Sequence, residues 1–274
     1  MPELPEVENV RHVLAPQLIG RTITAVRVIK PQVVARPDPA AFAKRLTGRR
    51  IEDMTRRGKF LSFDLDDGAE LVLHLRMTGF LFRAPRDYPE EKHTHLVCLL
   101  DDGTELRYSD LRRFGRFWLL SPGESDTYTG RDRLGPEPLE TPPDAAHYTA
   151  LLGRSGRAIK SCLLDQSVVA GLGNIYADEA LYAAGIAPGR PASTLSATEW
   201  DVLAQAVPRV LREAVDLIAM TPEEYLRGKG QEYRNTPLLN AYGRAGLPCR
   251  RCGTALLSRK IGGRTSCWCP ECQK

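Results

Sequence analysis

Apolar residues recur at Val7, Val10, Val13, Leu14 and Leu18, the spacing of one helical face, and Gly20 follows as a stop. The pattern predicts an amphipathic helix over residues 3–19, with Pro16 near its end. From Thr22 the period shortens to two, which predicts a strand over 22–29. Two further pairs of alternating segments each flank an acidic-glycine turn. Segments 60–65 and 71–75 surround Asp66-Asp67-Gly68, and segments 95–100 and 105–108 surround Asp101-Asp102-Gly103. Such turns between alternating runs are hairpin signals. Residues 117–120 add a strand. Hairpins with no helix between them predict an antiparallel sandwich or barrel rather than a parallel sheet.

Residues 121–144 are rich in Pro, Gly, Ser, Thr and acids and mark a boundary. Beyond them the period is helical. Short helices are expected over 145–152, 158–165 and 175–184. Ser196-Ala197-Thr198-Glu199 is a capping box opening a longer helix. Its buried stripe is Trp200, Leu203, Val207, Val210, Leu211, Ala214 and Ile218, with a kink expected at Pro208. Residues 220–240 lose periodicity and contain Gly228, Gly230 and Pro237, so they read as a long mobile loop.

Composition adds class. The chain has 274 residues, 42% hydrophobic and 26% charged, which fits two modest domains of a soluble protein. No apolar run nears the ~20 residues that cross a bilayer, and no secretion leader is legible. A cytoplasmic protein with no membrane partner is expected. The net charge of +4 is unevenly placed. From Arg244 to Lys274 there are seven basic residues against Glu271, leaving 31 basic and 33 acidic groups elsewhere. A near-neutral body with a basic tail suits a phosphate-binding appendage.

The tail also holds five of the seven cysteines. Cys98 and Cys162 lie in apolar contexts and read as buried thiols. Cys249-x2-Cys252 and Cys269-x2-Cys272, joined by a short hairpin, carry the spacing of two zinc knuckles. With four thiolates on one tetrahedral ion, no position remains for water, so the metal is structural. Cys267 could compete, but Cys269 completes the second knuckle. The zinc would hold the turn that carries Arg264.

Other candidates are individually weaker. Gly171-Leu172-Gly173-Asn174 precedes a helix, where backbone N–H groups can reach a phosphate; most such loops are only tight turns. Arg154 and Lys160 lie upstream of it. Arg107, Arg112, Arg113 and Arg116 surround Phe114, which reads as a solvated basic face or as a wedge for stacked bases. Met77 alone reads as core. Lys59 at a strand entry reads as an edge charge that discourages aggregation. Pro2-Glu3 opens a helix well. If Met1 is trimmed, Pro2 also offers a free secondary amine titrating near ~7.7–8, a nucleophile at neutral pH.

The opening Pro2-Glu3-Leu4-Pro5-Glu6-Val7-Glu8 resembles the N-terminus of formamidopyrimidine-DNA glycosylases. So do His74-Leu75-Arg76-Met77-Thr78-Gly79, Asp110-Leu111-Arg112-Arg113-Phe114-Gly115, Leu134-Gly135-Pro136-Glu137-Pro138-Leu139, Gly173-Asn174-Ile175-Tyr176 and the four-cysteine tail. The resemblance implies an α+β chain of two domains. An N-terminal antiparallel β-sandwich with a leading helix (1–130) is joined by a linker (131–148) to a helical helix–two-turn–helix domain (149–240) and a β-hairpin zinc finger (241–274). It implies a monomeric, nucleoid-associated base-excision enzyme acting on damaged double-stranded DNA, with one structural zinc ion. Pro2 would be the Schiff-base nucleophile and Glu3 the proton donor, with Lys59 and Arg264 assisting elimination. Met77, Arg112 and Phe114 would fill the gap left by a flipped nucleotide. His93, Arg154, Lys160, Asn174 and Tyr242 would contact DNA. An endonuclease VIII-type enzyme for oxidised pyrimidines and a non-catalytic DNA-binding zinc protein stay open as alternatives.

Overall fold

The computed structural model describes residues 2–228 and 239–274. They divide into two compact units. The first holds Pro2, Glu6–Asp132 and the stretch from Ile218; the second holds Glu3–Pro5, Arg133–Leu217 and the C-terminal segment through Lys274.

Helix α1 (Leu4–Leu18) leads into β1 (Ile23–Val28), β2 (Val34–Arg36), α2 (Pro39–Leu46), β3 (Ile51–Arg57), β4 (Phe60–Leu65), β5 (Glu70–His74), β6 (Gly79–Pro85), β7 (Thr94–Leu100), β8 (Thr104–Asp110) and β9 (Arg116–Leu120). Two sheets result, ordered β1-β7-β8-β6 and β2-β9-β5-β4-β3. Both expected hairpins form, pairing β4 with β5 and β7 with β8. Only β2–β9 is parallel among the paired strands. Val7, Val10, Leu14 and Leu18 of α1 join Phe42, Phe63, Leu73, Tyr108 and Phe117 in one core. Burial of each such side chain contributes about 1.5–3 kcal/mol. Strand β3 escapes the alternation rule because it is an edge strand, with only Ile51 and Met54 buried. Glu8 ties α1 to it: the Arg56 Nε donates to Glu8 Oε2 at 2.7 Å, with both side chains buried.

In the second unit, α3 (Ala145–Leu152), α4 (Ile159–Leu163), α5 (Asn174–Ala184) and α6 (Ala197–Leu217) enclose a separate core of Leu4, Tyr148, Cys162, Leu172, Leu181, Trp200, Leu203 and Leu211. The capping box forms as read: the Ser196 N–H donates to Glu199 at 2.8 Å and the Glu199 N–H to Ser196 Oγ at 3.3 Å. Helix α6 runs through Pro208 as a single element.

The loop expected over 220–240 is corrected in its first part. Helix α7 (Pro222–Gly228) forms there, capped by Thr221 and Glu224. Tyr225 is its buried anchor in the first unit's core and donates to the Leu81 carbonyl at 2.9 Å. Two turns of helix with a single buried residue are too short to show a period. Residues 229–238 of that expected loop lie outside the described residues. The chain closes with the hairpin β10 (Leu257–Ile261) and β11 (Arg264–Trp268).

Candidate active site

Glu3 lies at the N-terminus of α5. Its carboxylate accepts the N–H of Ile175 at 2.9 Å and of Tyr176 at 3.2 Å, two of the donors a helix start leaves unpaired. The Leu4 N–H donates to the Gly171 carbonyl at 3.1 Å, which fixes the adjoining backbone. Glycine is required at 173 for this approach, since a Cβ there would stand 2.4 Å from Glu3 Oε1. Two of the N–H groups at the start of α5 thus hold a carboxylate of the same chain.

The middle of α5 organises the C-terminal segment. Glu179 accepts the backbone N–H groups of Asn240, Ala241 and Tyr242 at 2.8–2.9 Å. The neighbouring Asp178 accepts the Cys267 N–H at 3.1 Å and pairs with Lys160 Nζ at 2.7 Å. Lys160 also donates to the Thr265 carbonyl at 3.1 Å, and its side chain is 0% exposed. The DNA contact expected of Lys160 has to be set beside this burial: two of its three ammonium donors are engaged, one by Asp178 of α5 and one by Thr265 of the hairpin. Burial pulls Lys160 below the usual lysine range and pushes Asp178 up to about 6, against the attraction between them.

Arg264 opens β11, exposed, after the two-residue turn Gly262-Gly263. Both glycines have positive φ, +55° and +76°, as a primed hairpin turn requires. A side chain at 262 would meet Ser161 Oγ at 2.6 Å, so the turn lies against α4. The base of the finger is the cysteine cluster. The sulfurs of Cys249, Cys252, Cys269 and Cys272 all fall within 4.8 Å of one another. Two of their separations, 3.9 Å for Cys249–Cys272 and 3.5 Å for Cys252–Cys269, bracket the ~3.8 Å expected around tetrahedral zinc. The Arg251 and Cys272 N–H groups donate to cluster sulfurs, the usual outer support of thiolate ligands. The four residues fit one structural zinc ion. Cys267 stands outside the cluster, its backbone engaged by Asp178.

In the first unit, Lys59 follows the β3 strand in a tight turn and is only 8% exposed, so it is no solvated edge charge. His74 lies nearby, edge-on to Phe60. Burial, with the charges of Arg76 and Lys59 beside it, pulls the imidazole down to about 3. It is neutral, and its Nδ1 accepts the Arg76 N–H at 2.9 Å. Arg76 precedes the half-buried Met77 with φ +58°, and Arg113 precedes Phe114 with φ +56°. A non-glycine residue in that region costs of order 1–3 kcal/mol, so both turns are held by their surroundings. Phe114 is 46% exposed, and the Arg112 guanidinium lies 4.5 Å over its ring. An aromatic and an arginine thus stack in the open on a strained turn.

The comparisons agree along the whole length. Residues 1–117 match the formamidopyrimidine-DNA glycosylase N-terminal domain, 134–224 the formamidopyrimidine-DNA glycosylase H2TH domain, and 246–274 the zinc finger found in FPG and IleRS. The formamidopyrimidine-DNA glycosylase of Geobacillus kaustophilus is 43% identical over 100% of both chains. The chain belongs to the formamidopyrimidine-DNA glycosylase family. The enzyme of that name from Symbiobacterium thermophilum is 45% identical, over 100% of this chain and 89% of its own. A crystal structure of the Lactococcus lactis glycosylase with DNA containing a formamidopyrimidine lesion superposes with a TM-score of 0.90 at 36% identity, over 99% of this chain and 100% of the other. A MutM complex with DNA carrying carbocyclic 8-oxoguanine matches equally, at 0.90 and 36%, over 100% of both chains.

The formamidopyrimidine-DNA glycosylase fold is thus present in full: sandwich with leading helix, helical H2TH domain, and hairpin zinc finger. Of the residues read from sequence, Glu3, Asn174, Tyr242 and Arg264 all lie on or beside elements that α5 anchors. Arg154 is exposed just after α3, and His93 is half-buried at the entry to β7. Asp178, Glu179 and Asp110 were not singled out. Asp110 had a legible signal, an aspartate opening a turn two residues before an N–H that it accepts.

Proposed function

We propose that this chain excises oxidised purines, formamidopyrimidines and 8-oxoguanine, from damaged duplex DNA through the amine of Pro2. The glycosylase and lyase class comes with the family; the residue roles are our reading. With Met1 removed, the Pro2 nitrogen attacks C1′ of the flipped nucleotide and the bond to the base breaks. Glu3 gives a proton to the sugar and assists ring opening. The resulting iminium draws electrons from the sugar and acidifies C2′. Loss of that proton expels the 3′-phosphate, and a second elimination expels the 5′-phosphate. Lys59 and Arg264 assist these steps, and Arg264 also binds phosphate. Met77, Arg112 and Phe114 fill the vacated stack, offsetting the few kcal/mol that flipping costs. His93, Arg154, Asn174 and Tyr242 serve the DNA backbone. The zinc ion holds the finger and takes no part in the chemistry.

The observation that supports this most is the fixing of Glu3. A carboxylate one residue from a potential terminal amine is held by two helix N–H groups. That arrangement suits an acid that must stay still during covalent chemistry. Borohydride trapping on an 8-oxoguanine:cytosine duplex, with mass spectrometry of the adduct, should locate the cross-link at Pro2. Acetylating the terminus should abolish trapping while duplex affinity survives; continued strand cleavage by the blocked protein would refute the mechanism. No helix among the described residues is long and apolar enough to cross a membrane. We read the protein as a cytoplasmic, nucleoid-associated monomer.

A further inference from the structure

Asp110, at the end of β8, is fully buried and makes an unusual number of bonds for one residue. Its Oδ1 accepts the Thr78 hydroxyl at 2.5 Å and the Arg112 N–H at 3.1 Å. Its Oδ2 accepts the Tyr108 hydroxyl at 3.0 Å and the Gly115 N–H at 2.9 Å. Its N–H donates to the His93 carbonyl at 3.0 Å, and its own carbonyl is 2.8 Å from the His95 ring. Thr78 closes the arrangement, since its Oγ1 also accepts the Arg112 N–H at 3.1 Å. One carboxylate therefore joins the turn behind Met77 to both ends of the turn that carries Arg112 and Phe114. Packing leaves it no slack: a Cβ at 115 would stand 1.8 Å from the Tyr108 hydroxyl. Four donors on a buried carboxylate keep it ionised, and each of those bonds is of the strong, charge-assisted kind.

We propose that Asp110, acting through Thr78, is the positioning residue that makes Met77 and the Arg112–Phe114 pair a single wedge. Neither turn would hold its left-handed residue, Arg76 or Arg113, in register with the other without that shared anchor. Asp110 touches no DNA; it sets how the residues that do so stand. The inference rests on the proposed roles of Met77, Arg112 and Phe114, so it deepens that reading.

The test uses the full-length zinc-loaded protein and three variants: Asp110→Asn, Thr78→Val and Thr78→Ser. Two substrates separate the steps. A duplex with 8-oxoguanine beside 2-aminopurine reports unstacking by fluorescence and then excision. A single-stranded abasic oligonucleotide, trapped with borohydride, reports amine chemistry where there is no stack to open. Asp110→Asn and Thr78→Val should each lower the 2-aminopurine signal and slow single-turnover excision about tenfold, the scale of one lost hydrogen bond to a charged group. Trapping on the single strand should be unchanged, and Thr78→Ser, which returns the hydroxyl, should recover the signal. Because Thr78 is half-buried, its valine variant covers the case in which Asp110→Asn does not fold. Thr78→Val with wild-type unstacking and excision would overturn the proposal. So would a loss of single-strand trapping in proportion, which would mean general damage to the fold. If the wild type traps nothing yet the unstacking signal still depends on Thr78, the amine mechanism fails and the coupling stands.

Discussion

The Glu3 carboxylate and the Ile175 amide are joined at 2.9 Å, although 172 positions separate them in sequence. Only a glycine at 173 lets them meet. Gly173→Ala should therefore push Glu3 aside while leaving the rest of α5 intact. Misplacement by about 1 Å can cost roughly a hundredfold in rate. We expect single-turnover excision of 8-oxoguanine to fall by that order and duplex affinity by far less. Equal losses in the two assays would mean that Glu3 serves binding rather than chemistry.

Lys160 and Asp178 should behave as a buried pair. Removing one partner strands the other, which typically costs about 3–5 kcal/mol. Lys160→Met or Asp178→Leu alone should destabilise the protein by that order in urea, and the double variant should recover much of the loss. A cycle without coupling would place the ammonium in solvent.

Helix starts, hairpins and the capping box were legible because each is a local rule written in adjacent residues. The zinc site was legible for the same reason, since two knuckle spacings are enough. What stayed hidden depends on partners far apart in sequence. Nothing near Lys160 announces Asp178, and a basic residue ahead of a glycine turn reads naturally as a phosphate contact. The Gly171–Asn174 loop reads locally as a helix start open to a phosphate or as a tight turn, and nothing near it announces the Glu3 carboxylate that its Ile175 and Tyr176 N–H groups hold. Helix α7 escapes the sequence pattern because two turns with a single anchor, Tyr225, show no period.

His74 gives a pH dependence with a definite sign. Its folded-state value, about 3, lies below the unfolded value near 6.5, so the unfolded chain takes up the proton first. The stabilisation is complete above pH ~6.5 and is lost as the pH falls toward 3, at up to about 1.4 kcal/mol per unit. Urea midpoints measured from pH 7 to 3 should follow that decline. In His74→Asn, whose side-chain oxygen can still accept the Arg76 N–H, this part of the slope should disappear.

Removing zinc should unfold the finger while most of α3–α6 persists. A chelator should therefore abolish DNA binding with only a small change in helical circular dichroism. With zinc in place, Arg264→Ala should flatten the salt dependence of duplex binding by about one unit. An unaltered slope would leave Arg264 without a phosphate.

Asp178 and Glu179 are consecutive, so they leave α5 about 100° apart. One grips the chain where it enters the finger and the other grips the far strand of the hairpin. A chain cut before residue 239 would leave Glu179 without its three N–H donors and Asp178 with Lys160 but without the Cys267 N–H. The finger is accordingly no detachable cassette: its removal should weaken α5 in the truncated product, and grafting these 36 C-terminal residues elsewhere would require carrying α5 along.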